Sequence, residues 1–560
     1  MTGHRRAGRT RARVLSLCAA SGLVALTATP SYATGTAQIN GSGSTWAYNA
    51  VNAWIGEVSG QGLRVTFTGN GSAAGRQDFA NKAVDFAVSD IGFQGHDPLT
   101  GVSDTSNGRP YAYVPLVAGG TSFPYHLTVA GKLVRNLRLS GPTLAKIFTG
   151  QIKNWDDSHI SADNNGRKFP SIPIVPIVHS EGSGTSYQFS AYLAQEDRSL
   201  WTGFAGADKP TEYWPSGKSG QIAQNGSDQL MNYIASSSGQ GTIGYDEYSY
   251  AIAKKIPVAK VENTAGYYTL PTQYNVAVAL TKAIINYNRH SNNYLLENLK
   301  DVYGYNDKRT YPVSSYSYGI IPTSSSDRTM TSPKRQTLAD FLYTSICQGQ
   351  GAVGGLGYSA LPINLVEAGF QQIGLLHKAD SKVSLNNLNV STCGNPTFVA
   401  NHPAENYLAK IAPEPPLCDE QGHGPCTTPN DSTGPSITSV KQNQSKTQGG
   451  DGGQKNGGGG SNQGGGTPGP TSPGSGNGRT KTGSASTGPV DPVTGQRVGS
   501  TGGTTNANVE GEPVTVADGQ DNSTALGLLA VGLFLAALIV PPLLWRRWSK
   551  PGAPPPGAAS

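Results

Sequence analysis

Gly41-Ser42-Gly43-Ser44-Thr45-Trp46 runs directly into residues 47–58, and the joint between the two decides the fold. Ala47, Val51, Trp54, Ile55 and Val58 recur at helical spacing, so the Gly/Ser turn opens an amphipathic helix. Residues 63–68 then alternate apolar and polar with a period of two, the pattern of a strand. A second turn, Gly69-Asn70-Gly71-Ser72-Ala73-Ala74-Gly75, enters a helix through Phe79. A third, Gly182-Ser183-Gly184-Thr185-Ser186, follows a strand-like stretch at 172–178 and enters a helix carrying Phe189, Tyr192 and Leu193. Strand–turn–helix units of this kind predict an α/β fold whose sheets are covered by helices.

Outward from this region, residues 39–412 keep a globular texture, and that length suits two lobes. After Cys426 the composition collapses into Gly, Ser, Thr, Gln, Pro and Asn, which bury too little apolar surface to offset ordering entropy. Residues 429–523 are therefore expected to be a disordered stalk, with an r.m.s. reach of about 50 Å. Residues 524–545 carry no charge and are long enough for a transmembrane helix, and Arg546, Arg547 and Lys550 follow. At the other end Arg5, Arg6, Arg9, Arg11 and Arg13 precede an apolar run and the small-x-small pattern Ser31-Tyr32-Ala33. That order predicts a cleaved export signal over 1–33. Cys18 follows Leu17, where lipidation requires a small residue. The expected topology is a globular part outside a cell membrane, one span, and a cytoplasmic tail at 546–560.

The 42 basic residues fall to 34 without the five leader and three tail cations, against 36 acids. A near-neutral exported part argues against a nucleic-acid partner. Leader removal leaves Cys347, Cys393, Cys418 and Cys426 of five cysteines, an even count in an oxidising compartment. Three pairings are possible. Cys347–Cys393 with Cys418–Cys426 is favoured because the second closes a short Gly/Pro-rich loop, and residues 413–428 form the extension bearing it.

Each Gly/Ser turn places unpaired backbone N–H groups and a positive dipole end at a helix start, which suits an anion. One such turn is an ordinary cap; three in one chain point to an oxyanion site. Val84-Asp85-Phe86-Ala87-Val88-Ser89-Asp90 reads as a short buried strand ending in an acid. By composition Asp90 is a turn or cap residue as readily as a ligand.

These pieces, with Leu144-Ala145-Lys146-Ile147-Phe148-Thr149-Gly150-Gln151-Ile152-Lys153-Asn154-Trp155-Asp156-Asp157, Gly241-Thr242-Ile243-Gly244-Tyr245 and Tyr311-Pro312-Val313, resemble the phosphate-binding proteins of phosphate ABC transporters. The likeness covers residues 39–372. It implies a two-lobed, class II periplasmic-binding-protein fold with a hinge, lobe one at about 36–118 and 318–412 and lobe two at about 119–317. It implies inorganic phosphate as ligand and an ABC permease as partner. By position, Thr45 and Trp46 offer main-chain N–H groups, Ser72 a hydroxyl and an N–H, and Ser183, Gly184 and Thr185 close from the second lobe. Asp90 falls on the acceptor carboxylate. Such an acceptor favours an anion that keeps a proton, as phosphate does near neutral pH and sulfate does not.

The chain departs from that pattern at His179, where the family carries Arg, and at Glu181, where it carries Asp. Arg is a permanent bidentate cation, whereas His near neutral pH is not. Trp46 stands in place of a more usual Phe. The resemblance therefore implies either weaker, pH-dependent phosphate binding or another oxyanion, with His179 a ligand contact or a polar residue at the cleft rim. No enzyme is expected: Glu181 and Thr185 occupy the glycine positions of a GxSxG elbow, and Glu212 occupies the first glycine of a P-loop. No cofactor and no metal set are expected, since the histidines lack HExxH-type spacing. A surface sensing or adhesion module is the alternative reading, because the stalk and anchor are unlike those of a free receptor.

Overall fold

The computed structural model describes residues 35–430, apart from 216, 219, 386–388, 400, 401, 403 and 404. The leader, the bulk of the stalk, the apolar stretch at 524–545 and the tail lie outside the described residues. Among the described residues no helix is long and apolar enough to cross a membrane.

Three parallel strands build the first half: β1 (Ile39–Gly43), β2 (Val65–Gly69) and β3 (Phe86–Ser89). They alternate with α1 (Tyr48–Ser59) and α2 (Ser72–Ala80). The apolar stripe of α1 buries Ala50, Val51, Trp54 and Val58, while Ile55 is only partly buried. A long strand, β4 (Tyr111–His126), then leads into the second half. There β5 (Val175–His179) pairs in parallel with β6 (Ile222–Gln224) and β7 (Thr242–Gly244), interleaved with α3 (Gly184–Glu196) and α4 (Gly226–Ala235). The chain returns through β8 (Ser314–Pro322), which pairs antiparallel with β4 from Gly120↔Ser314 to Tyr111↔Pro322. Two helices, α5 (Ser332–Ile346) and α6 (Ile363–Ala379), complete the first half.

The path through the central sheet is β6-β5-β7-β4-β8-β3-β1-β2. Two parallel blocks therefore flank a central antiparallel pair, giving the two-lobed α/β architecture that the sequence predicts. The strands begin and end within two or three residues of their sequence expectation: the strand expected over 172–178 begins at Val175.

Both favoured disulfides form, Cys347–Cys393 and Cys418–Cys426. Beyond the first, the chain does something the sequence did not announce. A short helix, Tyr407–Lys410, packs on helix Gln273–Leu280. The extension then binds lobe two: Lys260 Nζ pairs with Asp419 at 2.7 Å, Arg138 Nη1 donates to Cys418 O, and Asn136 Nδ2 donates to Cys426 O. The Asn430 N–H donates to Arg135 O. The expected two crossings, β4 and β8, are thus joined by a third passage of chain between the lobes.

Candidate functional site

Ligands of open parallel sheets bind beyond the carboxyl ends of the strands, and every residue singled out above sits just there. β1 ends at Gly43 and delivers Ser44, Thr45 and Trp46; β2 delivers Ser72; β3 delivers Asp90; β5 ends at His179, with Ser183 following as the cap of α3. Gly43 adopts φ +137°, and a Cβ there would meet Val88 O at 2.0 Å, so only glycine lets the turn leave β1 against its neighbour.

Asp90 is the centre of the first half of this site. Its carboxylate is buried and accepts four hydrogen-bond contacts from three serines: Ser44 Oγ at 2.7 and 2.8 Å, Ser317 Oγ at 2.8 Å and Ser72 Oγ at 3.0 Å. Burial raises its pKa, and the three hydroxyls, with the more distant Arg76, offset part of that rise. Ser44 and Ser317 were not singled out in the sequence. Ser44 lay in view inside the first turn, whereas Ser317 is 227 residues from Asp90 and only the β8–β3 pairing brings it there.

The second half comes from lobe two. α3 points its first turn at Asp90, and Gly184 is pressed so close that a Cβ would lie 2.5 Å from Asp90 Oδ2 and 2.7 Å from Ser72 Oγ. The Ala73 N–H donates across the same seam to Gly182 O at 3.1 Å. Among the described residues no acceptor pairs with the amides of Thr45, Trp46, Ser72, Gly184 or Thr185. The Thr185 hydroxyl is buried and has no partner among them either. The backbone behind these donors is held by phenols: Tyr250 OH donates to Thr45 O and Tyr358 OH to Trp46 O, both at 2.6 Å. The Trp46 indole is itself buried, edge-on to Tyr358.

His179 is not at a cleft rim. It is 2% exposed, and its Nδ1 lies 2.8 Å from Glu181 Oε1. Burial disfavours its charge, but the Glu181 carboxylate, their hydrogen bond and Asp246 outweigh that, and its pKa is raised. An imidazole that the sequence leaves uncharged near neutrality is therefore drawn toward the charged form. Glu181 shows the reciprocal effect: burial opposes its charge, yet His179 and the Gly226 N–H hold its pKa below the usual value. Its second oxygen accepts from Gly226 N–H at 3.0 Å, and the neighbouring Ser227 Oγ donates to Thr45 Oγ1 at 3.1 Å. A continuous chain of contacts thus links His179 to Thr45 across the lobes. Asp246, buried below, is pushed up to about 6 by desolvation against the pull of His179. Asp246 and Glu247 were also missed; as acids after Tyr245 they carried no sequence signal of burial.

The arrangement brings together a buried acceptor, helix-start amides from both lobes and several hydroxyls. Such a set offers several donors and one acceptor to a small anion. A family model described as a PBP superfamily domain matches residues 28–345. The chain is 30% identical over 335 residues to the phosphate-binding protein PstS 2 of Mycobacterium tuberculosis, covering 59% of this chain and 84% of that one. It is 28% identical over 333 residues to the phosphate-binding protein PstS of Xylella fastidiosa, covering 59% and 83%. A solved periplasmic phosphate-binding protein bound with phosphate aligns at 20% identity and a TM-score of 0.44, covering 64% of this chain and 97% of that one. With a PBP superfamily domain matched over more than half of the chain and a PstS relative at 30% identity covered over 84% of its length, this chain belongs to the PstS family of phosphate-binding proteins.

Proposed function

We propose that the chain captures inorganic phosphate between its lobes, outside the cell membrane, and hands it to an ABC-type permease. The observation that carries this reading is Asp90, a buried acceptor that among the described residues takes its side-chain hydrogen bonds from neutral serine hydroxyls and faces the start of α3. In this role the amides of Thr45, Trp46, Ser72, Gly184 and Thr185, with the hydroxyls of Thr45, Ser183 and Thr185, donate to the phosphate oxygens, while the Ser72 hydroxyl stays on Asp90. Asp90 accepts the proton that phosphate retains. His179 supplies positive charge through its pairing with Glu181 in place of a permanent guanidinium. The hinge is formed by β4 and β8, and closure of the lobes removes water from the anion, which strengthens every donor.

The export signal, the stalk and the span at 524–545 complete the proposal: a receptor tethered to the membrane that houses its permease. Calorimetric titration of the purified protein with phosphate and with sulfate, at pH 6 and pH 8, tests it. Phosphate binding with sulfate silent is the expected result. Heat from neither anion, or equal heat from both, overturns it.

A further inference from the structure

Arg76 lies on α2 in lobe one, its side chain fully buried. Its Nε donates to Asp104 at 2.9 and 3.1 Å, and its Nη1 donates to Ser89 Oγ, one residue before Asp90. Its Nη2 crosses to lobe two and meets both oxygens of Glu212 at 2.8 Å. The two carboxylates hold the guanidinium charged against the burial that opposes it. Glu212 is not an isolated partner. Its own N–H and the Thr211 hydroxyl reach Asp97 Oδ2 of lobe one at 3.3 and 2.9 Å. Its carbonyl accepts from Ser183 N–H at 2.9 Å, and the Tyr213 ring stands 2.9 Å from where a Cβ on Gly182 would lie. The segment that grips lobe one is thus the backing of the turn that covers the candidate anion.

We propose that Arg76 and Glu212 are positioning residues that latch the closed lobes and slow ligand release. The chemistry favours a latch over a static brace. When the lobes part, Asp104 stays with Arg76 as a balanced pair on lobe one, and Glu212 returns to water. Each state leaves its charges satisfied, so the contact strengthens closure without forbidding opening. Removing one partner alone leaves the closed state with an unmet donor, which is costly in a buried site.

This inference rests on the receptor reading, and its test separates the two. The full-length protein in detergent micelles is mixed with inorganic phosphate in a stopped-flow experiment, parent against Glu212→Gln. Dissociation is expected to quicken about tenfold or more, with association changed by less than about threefold. Unchanged dissociation overturns the latch and leaves the receptor standing. Should the parent not bind phosphate, the receptor reading fails, and hydrogen exchange of the 182–186 amides in the ligand-free protein decides the latch. Exchange quickened about tenfold in Glu212→Gln upholds it; equal exchange overturns it. Should Glu212→Gln not fold, Glu212→Asp, which keeps the charge but withdraws it from Nη2, is judged by the same two readings.

Discussion

The two faces of the candidate site solve the problem of an anion in opposite ways. On lobe one, Asp90 is surrounded by the hydroxyls of Ser44, Ser72 and Ser317, neutral groups that carry no charge at any ordinary pH. On lobe two, His179, Glu181 and Asp246 form a buried cluster in which each group shifts the pKa of another. The first face holds a single carboxylate, whose pKa burial raises and the hydroxyls and Arg76 partly pull back, so its ligands are dipoles rather than titrating groups. The second changes character with pH. Selectivity between anions belongs to the first face, and the response to acidity belongs to the second.

The sharpest way to break that division is Asp90→Asn. The amide keeps the shape and brings a donor where an acceptor stood, so phosphate should lose its advantage over sulfate by about 100-fold. Competition between the two anions in equilibrium dialysis reads the ratio, and an unchanged ratio would falsify the acceptor role. A smaller effect is expected from Ser317→Ala, which strips one donor from a buried carboxylate. It should lower unfolding stability by about 2 kcal/mol, measured by urea titration at neutral pH. Ser44→Ala is the companion test, and the pair should be non-additive because both hydroxyls serve one carboxylate.

The smallest and most diagnostic change is His179→Gln. A histidine whose folded pKa is raised contributes stability fully below its ordinary value of about 6.5 and loses it as pH rises through the raised value. Glu181, with a depressed pKa, contributes above its ordinary value and loses that contribution as pH falls through the depressed one. The pair therefore stabilises over the interval between those two limits. Replacing His179 should flatten the alkaline side, changing the parent–variant difference by about 1 kcal/mol between pH 6 and pH 9. Thermal midpoints across that range give the answer, and parallel curves would place the titration elsewhere.

The division also explains what could be read from the chain before its fold was known. The turns at 41–46, 69–75 and 182–186 carry their glycines and hydroxyls in short, continuous runs, so α1, α2 and α3 and the residues at their starts were legible. Both disulfides were legible too, since pairing Cys418 with Cys426 closes a short Gly/Pro-rich loop and leaves Cys347 to Cys393. What escaped depends on long-range pairing. Ser317 reaches Asp90 only through strand register, and Arg76 meets Glu212 only because two lobes touch. The state of His179 was misjudged because a residue type fixes an ordinary pKa, whereas its surroundings fix the actual one. The return of residues 413–430 to lobe two was hidden for a related reason. A stretch rich in Pro and Gly has no period to betray the side on which it lies.

That return has a mechanical meaning. Whatever follows Asn430 begins from lobe two, because Asp419, Cys418 and Cys426 are fastened to Lys260, Arg138 and Asn136 there. A pull on the chain from its C-terminal side is therefore borne by lobe two and spread through that lobe's own framework. Lobe one, which carries Asp90, hangs from the same framework and takes no direct tension. A tether attached on that side would hold lobe two and leave the acceptor half free to move against it, much as a door moves on a jamb.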